Sequence, residues 1–338
     1  MARNHKPAAS PLGRLLKSFY LFAVILSALV VGLYLAWQIV VKPPEVEAMA
    51  TVTVRPSDDP DTEEDESRQE PQTVTLERKE DFHTFLLMGS DDGNGNADTI
   101  MVGAYDLKNG KISVLSVPRD TLVDVSRTVK KINAAYGVGG VQQLLDELTP
   151  ILGFRPDHYI KVDIRAFVDV VNILGPISFY VPCDMYHDDG AGFVINLKEG
   201  LQSLNGQQAL QLVRYRGYAD ADLGRIRTQQ KFLREIAKQS ASWTTVTKVP
   251  ALAQTISKYL DTDLSVTELA YFATAALSLD FSNDITFATL PGDGAVHYNG
   301  VKWYYQLEPE ESLALINQLV NPYTTEITTE LSHIFQVK

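Results

Sequence analysis

The sequence predicts a layered α/β/α sandwich with a mixed central sheet, preceded by one N-terminal transmembrane helix. Three observations lead there. From Phe82 onward, short apolar runs of strand length alternate with amphipathic runs of helical period, as interleaved β and α elements do. No Pro- or Gly-rich break divides that alternation, so it reads as one domain over 82–325 with a short C-terminal tail, 326–338. Residues 19–41 form a long uncharged apolar run in a chain of 338 residues that is 45% hydrophobic.

In order along the chain, residues 1–18 hold Arg3, Lys6, Arg14 and Lys17 and no acid. The run 19–41 has Gln38 as its one strongly polar member and, as a helix, spans about 34 Å, enough for a bilayer. The basic flank, against Lys42 alone downstream, puts the N-terminus in the cytoplasm and everything after Val41 outside the cell. Ala48-Met49-Ala50 resembles a signal-peptide cleavage site. The apolar run is too long for such a peptide, however, so the anchor reads as uncleaved. Residues 42–81 read as a flexible linker, rich in Pro and carrying seven acids within 58–66.

Strands are expected at 82–88, 100–106, 111–117, 158–162, 177–181, 193–197, 285–290 and 301–306. Helices are expected from Val141, from Ile164 behind Asp163 as N-cap, and from Gln207 behind Asn205. Others follow over 226–240 and 249–259, from Val266 behind Ser265, and from Glu310 behind Pro309.

Composition excludes several functions. The formal charge is −12, and from Phe82 onward 29 acids face 21 bases, so a phosphate backbone is repelled and no nucleic-acid partner is expected. Cys183 is the single cysteine, which rules out an internal disulfide or a cysteine zinc site. A large outside domain without disulfides fits a Gram-positive envelope. The six histidines are too scattered to pair on a metal. There is no P-loop, intact dinucleotide fingerprint, nucleophile elbow or HExxH.

Three motifs carry chemistry. Met88-Gly89-Ser90-Asp91-Asp92 follows one predicted strand and Asn96-Ala97-Asp98-Thr99 precedes the next. Carboxylates in such loops hold hard cations such as Mg²⁺, although the same residues also make ordinary polar turns. Val117-Pro118-Arg119-Asp120 ends another strand and sets Arg119 at its tip. Arg214, Arg216, Arg225 and Arg227 crowd into 14 residues of an acidic chain, and guanidinium forks bind phosphate oxygens bidentately. Arg225 and Gln229 share a helix face at i,i+4, whereas Arg227 points elsewhere and suits a solvent salt bridge.

These blocks, in this order, resemble the LytR-CpsA-Psr family of Gram-positive cell-envelope proteins. The match runs through LLMGSDD, ADTIMV, ISVLSVPRDTLVDV, KINAAYGVGG, LNGQQAL, LVRYR and DLGRIRTQQ. The resemblance implies a transferase that moves a glycopolymer from a polyprenyl-pyrophosphate donor onto a peptidoglycan acceptor as a phosphodiester. It implies Mg²⁺ or Mn²⁺ as cofactor, on Asp91 and Asp98. It implies that Arg119, Arg214, Arg216 and Arg225 bind the pyrophosphate with Gln229 assisting, that Arg119 also acts catalytically, and that Asp91 is a candidate base for the acceptor hydroxyl. A polyprenyl tail needs an apolar channel, for which the helices around 168–174 and 264–279 are candidates, unless their apolar residues are simply core.

Two positions depart from the family pattern. Asn96 stands where an arginine is common, and Thr228 stands where a second arginine often precedes the paired glutamines. Two other readings stay open: a polyprenyl-pyrophosphate phosphatase, and a non-catalytic envelope-binding or regulatory protein.

Overall fold

The computed structural model describes residues 42–54, 72–90, 95–190, 192–220, 222–240, 260–276 and 278–337. The basic tail, the apolar run 19–41, the acid run 58–66, Asp91 and the helix expected at 249–259 lie outside the described residues. Among the described residues no helix is long and apolar enough to cross a membrane.

A hairpin of β1 (Met49–Val54) and β2 (Gln72–Glu77) leads into β3 (Phe82–Ser90), β4 (Ala97–Asp106) and β5 (Lys111–Ser116). There follow α1 (Ala134–Leu152), β6 (His158–Asp163), α2 (Ile164–Leu174), β7 (Ile177–Val181) and β8 (Met185–Asp188). Next come β9 (Val194–Leu197), β10 (Gly200–Leu204), α3 (Gly206–Arg214) and α4 (Asp222–Ser240). The chain closes with β11 (Leu260–Thr262), α5 (Val266–Ala276), β12 (Ile285–Thr289), β13 (Gly292–Tyr298), β14 (Val301–Leu307) and α6 (Pro309–Leu319).

The central sheet runs β11-β6-β3-β4-β5-β12 and is mixed, as the sequence predicts. β3 and β6 are parallel, β5 and β12 are parallel, and β4 is antiparallel to both its neighbours. The strands β3, β5, β6 and β12 therefore all end at one edge, where β4 begins. In open α/β sheets that edge is where ligands bind.

Both faces of the sheet are covered, which explains the nearly continuous apolar runs of its inner strands. In β3, Leu86 and Met88 pack with Leu144 and Leu148 of α1 and Ile316 of α6. Phe85 of the same strand faces the other way, against Leu269 and Phe272 of α5. A separate core joins the small strand pairs to the helices beside them: Phe179, Val181 and Leu197 pack with Ala209 and Leu212 of α3 and Phe232 of α4. Asn205 starts α3 with a reciprocal capping box to Gln208, and Asp163 caps α2 by accepting from the Ala166 amide at 2.6 Å. A Cβ at Gly206 would collide with the Val168 carbonyl, so glycine is what lets α3 start against α2.

Several expectations need correction. Residues 42–81 are not all linker, because β1 and β2 pair in register from Met49↔Glu77 to Val54↔Gln72. The cause is visible in the alternation of Thr and Val over 51–54 and 73–75, a strand pattern on either side of the acid run. The segment 326–338 is no free tail. Ile327 is buried in the main core, the Ser332 hydroxyl donates to the Ile151 carbonyl at 2.7 Å, and Gln336 donates to the Leu307 carbonyl. The helix expected from Val141 begins at Ala134 and is broken at Gly139 and Gly140, where the backbone leaves helical geometry. α4 likewise begins at Asp222, four residues before the expected start.

Candidate active site

The site lies at the sheet edge where β4 begins and β5 ends. Pro118 turns the chain out of the sheet: its carbonyl accepts from the Thr121 amide at 3.0 Å and from the Thr121 hydroxyl at 2.6 Å. Arg119 sits inside that turn, and its carbonyl is held by the Asn133 amide. The loop before Asp98 is held by the same segment. Ala97 N donates to the Asn133 carbonyl at 3.2 Å, and a Cβ on Gly137 would come within 2.5 Å of the Gly95 carbonyl oxygen.

Asp98 is the focus. Its Oδ1 accepts from Arg119 Nη1 at 2.9 Å and from Arg216 Nη2 at 3.0 Å. Its backbone carbonyl accepts from Arg225 Nη2 at 3.0 Å. Arg216 reaches in because α3 ends at Tyr215 in extended conformation, which swings the next residue toward β4. Arg225 comes from the first turns of α4 and is 3% exposed. Burial pushes its pKa down to about 10, so it stays a cation at neutral pH. The Nε atoms of Arg119 and Arg225 are buried without a hydrogen-bond acceptor.

The remaining predicted residues fall into place around this focus. Gln229, one turn beyond Arg225, donates to the Val213 carbonyl at 3.0 Å and so ties α4 to the end of α3. The Arg214 guanidinium lies 4.5 Å above the centre of the Phe193 ring, a cation–π distance. Arg227 points away and pairs with Asp220 at 2.5 Å, as its helix position predicts. The Thr228 hydroxyl is turned back onto the Gly224 carbonyl at 3.0 Å and is buried, so its side chain takes no part in the cleft. Asn96 lines the cleft.

Two residues were missed. Asp222 pairs with Arg225 at 2.8 Å and lies 3.8 Å from Arg119 Nε, a counter-ion for both. An acid three residues before an arginine in a helix was a readable signal for it. Gln230 donates to Ser116 Oγ, the Ala288 carbonyl and Thr289 Oγ1, each at 3.0 Å, fastening α4 to the ends of β5 and β12. Its partners are 58 to 114 residues away, and no local pattern announces them.

The arginines stand at one end of a cleft of about 880 Å³. Much of the rest of its wall is apolar, with Ile160 from β6, Leu210 from α3, and Phe167, Ile195, Val213 and Phe232 from the smaller core, interrupted by Asp163, His187 and Asp189. The stretches 168–174 and 264–279 are core instead: Val171 packs with Phe179, and Leu264 and Leu279 pack under α5. Among the described residues no three acidic, histidine or cysteine side chains form a metal cluster. Asp98 nevertheless suits a small hard cation, which needs one or two carboxylates and takes its other ligands from substrate phosphates and water.

The LytR_cpsA_psr family model matches residues 50–321, and the chain belongs to that family. Regulatory protein MsrR of Staphylococcus aureus is 34% identical over 185 residues, 54% of this chain and 56% of that protein. TagV of Bacillus subtilis, named a polyisoprenyl-teichoic acid–peptidoglycan teichoic acid transferase, is 31% identical over 205 residues, 57% of this chain and 52% of its own length. The chain thus spans just over half the length of these relatives. The fold matches the crystal structure of B. subtilis TagV with a TM-score of 0.61 and 26% identity, over 71% of this chain and 96% of that one. TagT, also solved from B. subtilis, in a structure bound to LI-WTA, matches with a TM-score of 0.61 and 25% identity, over 73% and 92%.

Proposed function

From membership of this family, we propose that the chain is a membrane-anchored phosphotransferase. It would move a glycopolymer, such as a teichoic acid or capsule chain, from a polyprenyl-pyrophosphate carrier onto peptidoglycan. The observation that carries this reading is the make-up of the cleft: three guanidiniums converge on Asp98 in a pocket whose lining is more apolar than polar. That make-up fits a ligand with a strongly anionic head and a long hydrocarbon tail, and the name borne by TagV, a polyisoprenyl-teichoic acid–peptidoglycan teichoic acid transferase, supports a ligand of this kind. The apolar run 19–41 supports an anchor that keeps the domain outside the cell at the membrane carrying such a donor.

In the proposed reaction an acceptor sugar hydroxyl attacks the phosphorus bearing the glycan. A new P–O bond forms, the bond to the bridging oxygen breaks, and polyprenyl phosphate leaves with the electron pair. The Nη groups with which Arg119, Arg216 and Arg225 meet at Asp98 would address the oxygens where charge grows. Arg214, held over Phe193, stands nearer the apolar part of the cleft. Gln229 keeps α3 and α4 in register, so that Arg214, Arg216 and Arg225 address one target. Asp91 takes the proton of the attacking hydroxyl. A Mg²⁺ or Mn²⁺ ion on Asp91 and Asp98 would add Lewis-acid neutralisation of the pyrophosphate.

The test is mass detection of a phosphodiester adduct from the full chain in detergent, a polyprenyl-pyrophosphate glycan, Mg²⁺ and peptidoglycan fragments. Adduct that disappears with Arg119→Ala or Asp98→Ala supports the reading. Release of polyprenyl phosphate without adduct would make the chain a phosphatase. Donor binding with neither outcome, across several glycans, would make it a binding protein and end the transferase claim.

A further inference from the structure

The β13–β14 hairpin has no part in the site as described. It leaves the sheet at the end of β12, the edge that also carries Arg119 beyond β5. Its tip, Asn299-Gly300, has φ 48° and 77° between the paired residues Tyr298 and Val301, the backbone of a two-residue hairpin turn. Most of its aromatic rings do structural work. Tyr304 and Tyr305 are buried; Tyr304 Oη accepts from the Lys130 amide at 3.1 Å, and Tyr305 Oη donates to the Leu290 carbonyl at 3.2 Å.

Trp303 is different on two counts. Its backbone is left-handed at φ 64°, a conformation that costs free energy for any residue with a side chain. Its indole is 62% exposed, with its centre 5.6 Å from the ring of His297 across the hairpin. The fold therefore bears backbone strain at Trp303 and gains no burial from it. Trp303 lies where the hairpin's register shifts between Val296↔Tyr304 and Tyr298↔Val301, and a bulge of this kind re-aims the side chain it carries.

Register says at what it is aimed. Thr121 and Tyr305 form a parallel bridge, with Leu122 N donating to the Tyr305 carbonyl and Tyr305 N to the Asp120 carbonyl, both at 2.9 Å. Arg119 precedes Asp120 inside the Pro118–Thr121 turn, and Trp303 precedes Tyr305 by two residues. At about 3.3 Å per residue, Trp303 is set roughly 7 Å along its strand from the residue bonded to Asp120. Trp303 thus stands outside the lining of the cleft, on a strand bonded to the segment that carries Arg119.

Resting on the transferase reading, we propose that Trp303 and His297 form a stacking platform for a pyranose ring of the acceptor glycan strand. The C–H face of a sugar packs on an indole face, while the indole N–H and the imidazole nitrogens serve its hydroxyls. A ring seated there delivers the neighbouring sugar's hydroxyl to the phosphorus held by Arg119. A membrane surface fits the hairpin poorly: its tip is Asn-Gly, Asp293 and Lys302 flank the platform, and Trp303 is the hairpin's one exposed large hydrophobic residue.

The test uses the full chain in detergent micelles with Trp37→Phe and Trp243→Phe, which leaves Trp303 as the sole tryptophan of three. The probe is chitotetraose, a β-1,4-linked N-acetylhexosamine oligomer. Saturable change in Trp303 emission is expected. By calorimetry Trp303→Gly should bind about tenfold more weakly, the scale of one lost aromatic stack, and Trp303→Phe within about threefold of the parent. Glycine suits φ 64°, so Trp303→Gly keeps its melting temperature, and loss of binding is not loss of fold. Equal binding by Trp303→Gly, no binding by the parent, or an emission change with anionic phospholipid vesicles in place of the sugar would each overturn the platform. Trp303-dependent sugar binding in a chain that never consumes donor would instead sink the transferase reading and leave the platform standing.

Discussion

Replacing Asp222 with leucine isolates what the buried guanidinium costs the fold. Arg225 is 3% exposed and has two partners, Asp222 Oδ1 at 2.8 Å and the Asp98 carbonyl at 3.0 Å. Asp222→Leu removes its counter-ion and leaves a buried cation on a single neutral acceptor. Breaking one side of such a pair typically costs about 3 kcal/mol, and for a domain of this size that lowers the melting temperature by roughly 6–12 °C. Arg225→Met alone removes the buried charge along with its bonds. The Asp98 carbonyl, a neutral acceptor, loses one bond, and the more exposed Asp222 loses a partner but keeps Arg119 Nε at 3.8 Å, so the loss should be about 1 kcal/mol. The double variant should recover about 2 of the roughly 3 kcal/mol lost by Asp222→Leu, giving a coupling of about 3 kcal/mol in the cycle. Thermal unfolding of the four proteins in one detergent gives the stabilities, and adduct formation gives the activities. Both variants without Arg225 should be inactive, however stable. A drop below about 2 °C for Asp222→Leu, or a double variant no better than that single one, would refute the reasoning.

Four further outcomes follow from the geometry. Gly137→Ala drives a Cβ to 2.5 Å from the Gly95 carbonyl, so the loop bearing Asp98 must move; turnover should fall at least tenfold, with a modest loss in melting temperature. Arg216→Ala removes a half-exposed fork and should leave stability within about 0.5 kcal/mol while raising the donor KM, as steady-state kinetics would reveal. Burial lowers the pKa of His83 below its ordinary 6.5, with Asp157, His158, Arg78 and Asp81 as the neighbouring charges. The unfolded chain thus takes up that proton first, and stability is full above pH 6.5 and lost as the pH falls below it. His83→Gln should flatten that slope in melting curves between pH 8 and 5. Asp98→Asn frees Arg119 and Arg216 of their shared anion, so inorganic pyrophosphate measured in chelator should bind at least as tightly as to the parent while adduct formation is lost; weaker binding would contradict the geometry.

Much of the site was legible because arginine is conspicuous in an acidic chain. Arg119, Arg214, Arg216 and Arg225 stood out by density and by position at a strand or helix end, and three of them meet at Asp98. Arg227 was separable from them by helical phase alone. The N-caps Asp163 and Asn205 were equally plain, since capping chemistry is local. The failures have two causes. In the β1–β2 hairpin the Thr/Val alternation was present, but the acid run between the strands dominated the composition, and pairing across 17 intervening residues leaves no local mark. For the C-terminal segment, Gln230 and the apolar wall, the missing information is tertiary. Ile327 is core because it meets α1, and Phe167 and Phe232 line a cleft because α2 and α4 face each other there. Apolar residues at helical spacing look the same whether they fill a core or border a ligand.

The part played by Asp98 follows from putting several like charges in one place. Arg119, Arg216 and Arg225 repel one another, and with no counter-anion their forks would splay into water, with entropy to regain when a ligand arrives. One carboxylate oxygen shared by Arg119 and Arg216, with the carbonyl of the same residue holding Arg225, keeps all three aimed at a common point. Asp98 thereby occupies a phosphate oxygen's position before any phosphate is present. A donor pyrophosphate carries more charge than a carboxylate and offers more acceptor oxygens to the forks, so exchange would favour the donor. The same exchange releases Asp98 Oδ1 from two cations and makes it available as an oxygen ligand. On the proposed reading, donor and divalent cation should then bind with positive coupling, each raising the affinity of the other by the same factor, because Asp98 would compete with the first and hold the second.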